Sequence, residues 1–175
     1  NDHIANEEEQ FLAYLHVVKA MKKNSVTIRT ADLGADKNPQ WNATHGASDN
    51  PALGLTGIRM SLAEQGFFRM QLRAILRASA FGKIQIMFPM ISSAWELKQA
   101  IHQLDLAKEE LRDENIPFDE KLKVGSMIEV PAAALSIRGI LEQVDFISIG
   151  TNDLIQYLLA IDRNDEAVNY LYDPL

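Results

Sequence analysis

Cysteine is absent from the 175 residues, which excludes a disulfide framework, a thiolate metal site and a cysteine nucleophile within them. The same absence points to the reducing cytoplasm. Proline and glycine are sparse, at 6 and 9 residues, so the composition is neither collagen-like nor that of a flexible linker. No apolar run reaches the roughly 20 residues needed to cross a bilayer. The acidic start lacks the basic and apolar regions of a signal peptide. Positive charge is also short: 17 Lys and Arg stand against 24 Asp and Glu, a net charge of -7. The cations are scattered rather than gathered in a stripe, so neither nucleic acid nor an anionic membrane is an expected partner. What remains is 47% hydrophobic and 23% charged, the make-up of one globular domain with a sizeable core. A start at Asn1 rather than Met suggests a fragment of a longer protein.

The apolar pattern alternates between helical and strand periods. Glu7 to Lys22 reads as an amphipathic helix with Asn6 as N-cap, Glu9 at the capping-box position and Phe11, Leu15 and Val18 on one stripe. Ser25 to Thr30 is a β-branched strand, followed by a polar segment through Asn50 without periodicity. A second helix is expected from Leu62 to Ala80, carrying Phe67, Phe68, Leu72, Ile75 and Leu76. Its Arg69, Arg73 and Arg77 recur at four-residue steps and read as a solvated face. Ile84 to Met87 is the second strand, and Ser93 to Glu96 is a capping box opening a helix with Leu97, Ile101, Leu104 and Leu111 inward. Lys123 to Ile128 is the third strand, followed by a small-residue helix from Ala132 to Leu141. The fourth is Phe146 to Ile149. Four strands separated by helices, with no hairpin signal, predict an α/β fold of parallel strands.

Polar residues cluster where strands give way to helices. Arg29 and Asp32 follow the first strand, Glu129 the third, and Asn152 and Asp153 the fourth. In parallel α/β folds the carboxyl ends of the strands are where ligands bind. After Gly150, Thr151 or Asn152 is expected to cap a helix whose first-turn N–H groups attract anions, with Asp153 as a hard oxygen ligand beside them. A phosphate bridged to Mg²⁺ suits that pairing. Each residue also has a plain structural reading: Asn152 and Asp153 as caps, Glu129 as a first-turn carboxylate, Arg29 as an ion-pair partner of Asp32, and Arg163 as a surface pair with Asp162 or Asp165. His3, His16, His45 and His102 show no ligand spacing, and Met87 and Met90 read as core.

Five strings extend the argument: TIRTADLGADK (Thr27 to Lys37), LRAILRASAFG (Leu72 to Gly82), IMFPMI (Ile86 to Ile91), MIEVPAAA (Met127 to Ala134) and SIGTNDLIQY (Ser148 to Tyr157). In this order they closely resemble Enzyme I of the bacterial phosphotransferase system, the phosphoenolpyruvate–protein phosphotransferases. The resemblance implies part of a (β/α)₈ TIM barrel, residues 1–175 forming about four of its eight strands within the phosphoenolpyruvate-binding domain. It implies that Arg29, Asn152, Asp153 and Arg163 bind the substrate and that Glu129 and Asp153 ligate Mg²⁺. It further implies phosphoryl transfer to a histidine on another domain, then to a histidine-bearing phosphocarrier protein of a sugar or nitrogen-regulatory system, in a cytoplasmic homodimer. By the same resemblance the phosphoacceptor histidine precedes Asn1 and the proton-donating cysteine follows Leu175, so the fragment alone is expected to be inactive. The chain has Thr56 where the family usually has an arginine, which leaves a non-catalytic regulatory or dimerisation module as the alternative expectation. Arg59 stands nearby.

Overall fold

Asn6 opens the first helix by reciprocal capping. Its Oδ1 accepts from Glu9 N–H at 3.0 Å, and Glu9 Oε2 accepts from Asn6 N–H at 2.9 Å. Three acidic residues, Glu7 to Glu9, then occupy the turn where the helix dipole favours negative charge. The computed structural model describes residues 5–32 and 49–172, and this helix, α1, spans Glu7–Met21. Most of the aperiodic polar segment, together with Leu33 to Lys37 of the first family-like string, His3 and His45, lies outside the described residues.

The strands are β1 (Val26–Arg29), β2 (Ile84–Phe88), β3 (Lys123–Ile128) and β4 (Phe146–Ile149). They form one parallel sheet in the order β1-β2-β3-β4, with Ile28 opposite Ile86, Met87 opposite Gly125 and Ile128 opposite Ile149. Sequential order with helices between neighbours is the arrangement of a barrel segment. β2 is central and its Ile84, Ile86, Met87 and Phe88 are all buried, as expected of a strand covered on both faces. Among the described residues, β1 and β4 have no outer partner. Ile149 on β4 and Leu158 beyond it are each 63% exposed, so the β4 edge is open among the described residues.

Two expected helices are each divided. The stretch from Leu62 to Ala80 is α2 (Ile58–Ala63) and α3 (Gln65–Ser79), separated by Glu64 at φ -102 and ψ 61. Residues 63–66 are all exposed, so no buried stripe holds them in one helix, and Gly66 is a poor helix former. After α4 (Ala94–Asp113), the small-residue helix is likewise α5 (Pro131–Leu135) and α6 (Ile137–Leu141). Ser136 marks that break, with its hydroxyl donating back to Ala132 O at 2.7 Å. At the start of α4 the capping box is only half made. Ser93 Oγ accepts from Glu96 N–H, but the Glu96 carboxylate takes Ser92 N–H and Ser92 Oγ instead of closing on Ser93.

The core joins the inner faces of α3 and α4 to the sheet. Phe68, Leu72, Ile75, Leu76, Ile86, Phe88, Leu97, Leu104 and Leu111 are fully or almost fully buried. Phe68 and Phe88 meet edge to face at 6.1 Å between centroids, a favoured aromatic geometry.

The arginine row on α3 is not a solvated face. Arg69, Arg73 and Arg77 are only 22%, 12% and 19% exposed. Arg73 bonds Glu7 of α1 at 2.7 Å, Glu110 of α4 at 3.3 Å and Glu114 at the C-cap of α4 at 2.7 Å. Arg77 bonds Glu7 and Glu8 and lies over the Phe11 ring at 4.2 Å, while Arg69 bonds Glu110 and Gln103. Four-residue spacing does place them on one face, but that face is sandwiched between two acidic helices. Their long stems fill the seam while the guanidinium groups pair across it.

Candidate functional site at the carboxyl ends of the strands

Arg29, the last residue of β1, points its guanidinium at Asp32, with Nη1 3.2 Å from Oδ2. Its side chain is still 45% exposed, so the ion pair of the plain structural reading exists without burying the cation. Arg29 Nη1 also approaches Met127 Sδ on β3 at 3.9 Å, which brings the first strand's polar group over the third.

Glu129 follows β3 and is 1% exposed. Its Oε1 accepts a 2.6 Å hydrogen bond from the Met90 N–H, and its Oε2 is buried with no hydrogen-bond partner. Burial raises its pKa to about 7, the Met90 hydrogen bond opposes this, nearby Asp32 and Asp153 add to the rise, and Arg29 lowers it. Three carboxylates therefore share one neighbourhood. A buried carboxylate facing two others is unfavourable without a compensating cation.

β4 delivers its residues across Gly150. A Cβ there would stand 2.7 Å from both Glu129 Cβ and Oε2, so the strand-to-helix turn can pass over the carboxylate only as glycine. Helix α7 (Thr151–Leu159) begins immediately, with Gly150 as N-cap and no side-chain cap. The expected capping by Thr151 or Asn152 is thus not made, because Thr151 is already the first helical residue and Asn152 Oδ1 accepts instead from Tyr172 Oη at 2.9 Å. The helix start lacks a side-chain acceptor, as an anion-binding end requires.

Asp153 pairs with Arg163, Oδ1 to Nη1 at 3.0 Å; this pair replaces the surface one with Asp162 or Asp165. Tyr157, one turn further along α7, donates to Ala52 O at 2.6 Å and lies 3.9 Å from Met90 Sδ. Burial raises the Tyr157 pKa, with Asp153, Glu129 and Asp32 contributing in the same direction and Arg59 opposing. Arg59 itself donates to the carbonyls of Leu53 and Gly54 and lies 3.9 Å from Glu96.

The structure thus brings Arg29, Asp32, Glu129, Asp153 and Arg163 to one rim, with Asn152 on the adjoining helix turn. Among the described residues, no three His, Cys, Asp or Glu side chains form a metal cage. The donor set suits a different occupant: an ion that takes one or two carboxylates and completes its shell with substrate oxygens and water, as Mg²⁺ does. The unpaired Glu129 Oε2 is the observation that fits it. A groove of about 340 Å³ lined by Arg59, Leu62, Trp95, Glu96, Gln99 and Gln103, among others, contains none of the expected site residues.

Sequence reasoning missed Met90, Gly57 and Tyr157. Met90 is buried, as expected of a core methionine, but its backbone is at φ 56 and its N–H holds Glu129. The only sequence signal was its place directly after Pro89, at the end of a strand. His16 and His102 are exposed and belong to no site.

The family model described as PEP-utilising enzyme, PEP-binding domain, matches residues 1–175. The phosphoenolpyruvate-protein phosphotransferase of Cupriavidus necator is 50% identical over 175 residues, covering 99% of this chain and 30% of that protein. The proteins of the same name from Haemophilus influenzae and Staphylococcus aureus are 45% and 46% identical, with the same shares covered. The chain therefore spans 30% of the length of these curated relatives. A crystal structure of a citrate lyase from Burkholderia xenovorans matches 91% of this chain and 51% of that one, at TM-score 0.50 and 16% identity, a likeness of fold alone.

Proposed function

The chain belongs to the PEP-binding domain family of the PEP-utilising enzymes, and from that premise we propose that it forms the substrate site of a phosphoenolpyruvate–protein phosphotransferase. In this reading residues 1–175 are part of the phosphoenolpyruvate-binding barrel domain. The phosphoryl acceptor is a histidine on another domain, and a histidine-bearing phosphocarrier protein receives the group next. A cytoplasmic homodimer belongs to the same proposal. No described helix is long and apolar enough to cross a membrane.

The observation that carries the reading is the buried Glu129 with an unpaired Oε2, facing Asp153 at a rim that also holds two half-exposed arginines. Glu129 and Asp153 would hold Mg²⁺. Bound there, the ion supplies charge neutralisation for the phosphoryl group. Arg29 and Arg163 bind the anionic groups of the substrate through planar, charge-assisted hydrogen bonds. Both are held by carboxylates in the ligand-free chain, at 3.2 and 3.0 Å, so they sit preoriented and exchange one anionic partner for another on binding. The uncapped start of α7, with Asn152 in its first turn, offers N–H donors to the phosphoryl oxygens. In the transfer the bond from phosphorus to the enol oxygen breaks as a bond to an imidazole nitrogen forms, and the enolate of pyruvate leaves with the electron pair and takes up a proton. The chain's own part is positioning and electrostatics.

The test is labelling of the full-length protein with radioactive phosphoenolpyruvate. Acid-labile phosphohistidine should form in the presence of Mg²⁺ and not in its absence, and Arg163→Ala should lower kcat/KM by about 10–100-fold, the worth of a charge-assisted hydrogen bond. Labelling that ignores Mg²⁺, or no labelling of the wild type, overturns the reading.

A further inference from the structure

Within the site just proposed, on which this inference rests, we propose that Met90 is a positioning residue: its strained backbone fixes which oxygen of Glu129 faces the substrate side. β2 ends at Phe88, and Pro89 has no N–H, so Met90 supplies the first available amide beyond the strand. That amide donates to Glu129 Oε1 at 2.6 Å. With Oε1 occupied by a donor that cannot ligate a cation, Oε2 is the free oxygen, and it is the one without a partner.

The donor points this way because Met90 adopts φ 56, a left-handed conformation that a non-glycine residue keeps only when its surroundings enforce it. Those surroundings are visible. Met90 is 5% exposed, its Sδ lies 3.9 Å from Tyr157 Oη, and its Cβ and Cγ fill the space over Gly57. A Cβ on Gly57 would stand 2.7 Å from both of those atoms. Gly57 is itself at φ 54, so a side chain there is strained by the backbone as well as crowded by Met90. On its other side Glu129 is confined by Gly150, where a Cβ would stand 2.7 Å from Oε2. The carboxylate is thus held by a hydrogen bond on one oxygen and by close backbone packing beside the other. Tyr157 adds a tie by bonding Ala52 O at 2.6 Å, which anchors the turn just before Gly57 against α7.

The test uses Gly57→Ala, Met90→Gly and the double variant in the full-length protein, with Mn²⁺ as the probe ion. Mn²⁺ affinity should fall about 10–100-fold in Gly57→Ala, the effect typical of disturbing a group that orients a metal ligand. The double variant has no Met90 side chain to collide with and should recover the part of that loss due to the collision, although both proteins carry alanine at the strained position 57. A merely structural role for Gly57 predicts no recovery. In the metal-free state, the amide proton of selectively labelled Met90 should lie far downfield and move upfield in both Gly57→Ala and Glu129→Gln. Gly57→Ala that stays folded with unchanged Mn²⁺ affinity, or a double variant no better than Gly57→Ala, overturns the positioning role and leaves the site proposal standing. A wild type that binds no Mn²⁺ overturns both.

Discussion

Glu129→Gln is expected to make the ligand-free protein more stable at pH 8 while destroying Mg²⁺-dependent substrate binding. The carboxyl is 1% exposed and burial raises its pKa to about 7, well above the ordinary value near 4.5. A group with a raised folded-state pKa holds its proton more tightly in the folded protein. Stability therefore falls as pH rises from about 4.5 to about 7, and above that window the cost of keeping Glu129 ionised is present in full. At about 1.4 kcal/mol per unit this cost comes to about 3.5 kcal/mol, an upper figure. Glutamine keeps an oxygen to accept from Met90 N–H and presents an amide toward Asp32 and Asp153, so it removes the cost without losing the hydrogen bond. The expected gain at pH 8 is about 1–3 kcal/mol in denaturant unfolding, shrinking toward zero at pH 4.5. Substrate affinity in Mg²⁺ should drop by more than about 100-fold, since a direct ligand matters more than the groups that orient it. A variant with wild-type stability at pH 8, or one that still binds substrate with metal, contradicts the assignment.

Arg73→Ala should be the most damaging substitution of a charged residue outside the site. Arg73 is 12% exposed and ties α1 and α4 to α3 through Glu7, Glu110 and Glu114. Its pKa is raised, most strongly by the hydrogen bond with Glu114, whose own pKa is lowered by the same contact. Truncation removes the central cation: Glu7 keeps Arg77 and Glu110 keeps Arg69, but Glu114 loses its guanidinium partner. A loss of about 1–2 kcal/mol follows for a seam whose cation is shielded but whose carboxylates are a quarter to a half exposed, or about 2–8 °C in Tm for a domain of this size. Hydrogen exchange should show residues 7–21 losing protection first, because α1 is held by this seam. Arg73→Lys should lie between, since a point charge cannot replace the fork that reaches Glu7 and Glu114 together. Unchanged Tm and unchanged protection in α1 would show that the seam is decorative.

Much of the fold could be read from the sequence because local signals agreed with burial. Asn6 and Glu9 cap as their spacing says, and the four strands fall within a residue of the apolar runs that announced them. The breaks at Glu64 and Ser136 were not legible, because both stretches keep helical composition and the interruption is a matter of backbone angle and a serine bond to the preceding turn. The Arg69, Arg73 and Arg77 row was read correctly as one face and incorrectly as solvated. Periodicity says which residues share a face but not what that face meets.

At the site the acidic residues and arginines stood out because charge at a strand end is conspicuous. The groups that set their geometry did not. Met90 acts through its main chain, and Gly57 and Gly150 act through the side chains they lack. Neither kind of role leaves a pattern of polarity to detect.

The most direct test of the central claim is calorimetric titration of phosphoenolpyruvate into the full-length protein at pH 8, with and without Mg²⁺, alongside Glu129→Ala and Asp153→Ala. If Glu129 and Asp153 hold the ion, binding occurs in the wild type only when Mg²⁺ is present and is lost in both variants. Binding of equal strength without metal, or binding that survives removal of either carboxylate, would contradict it.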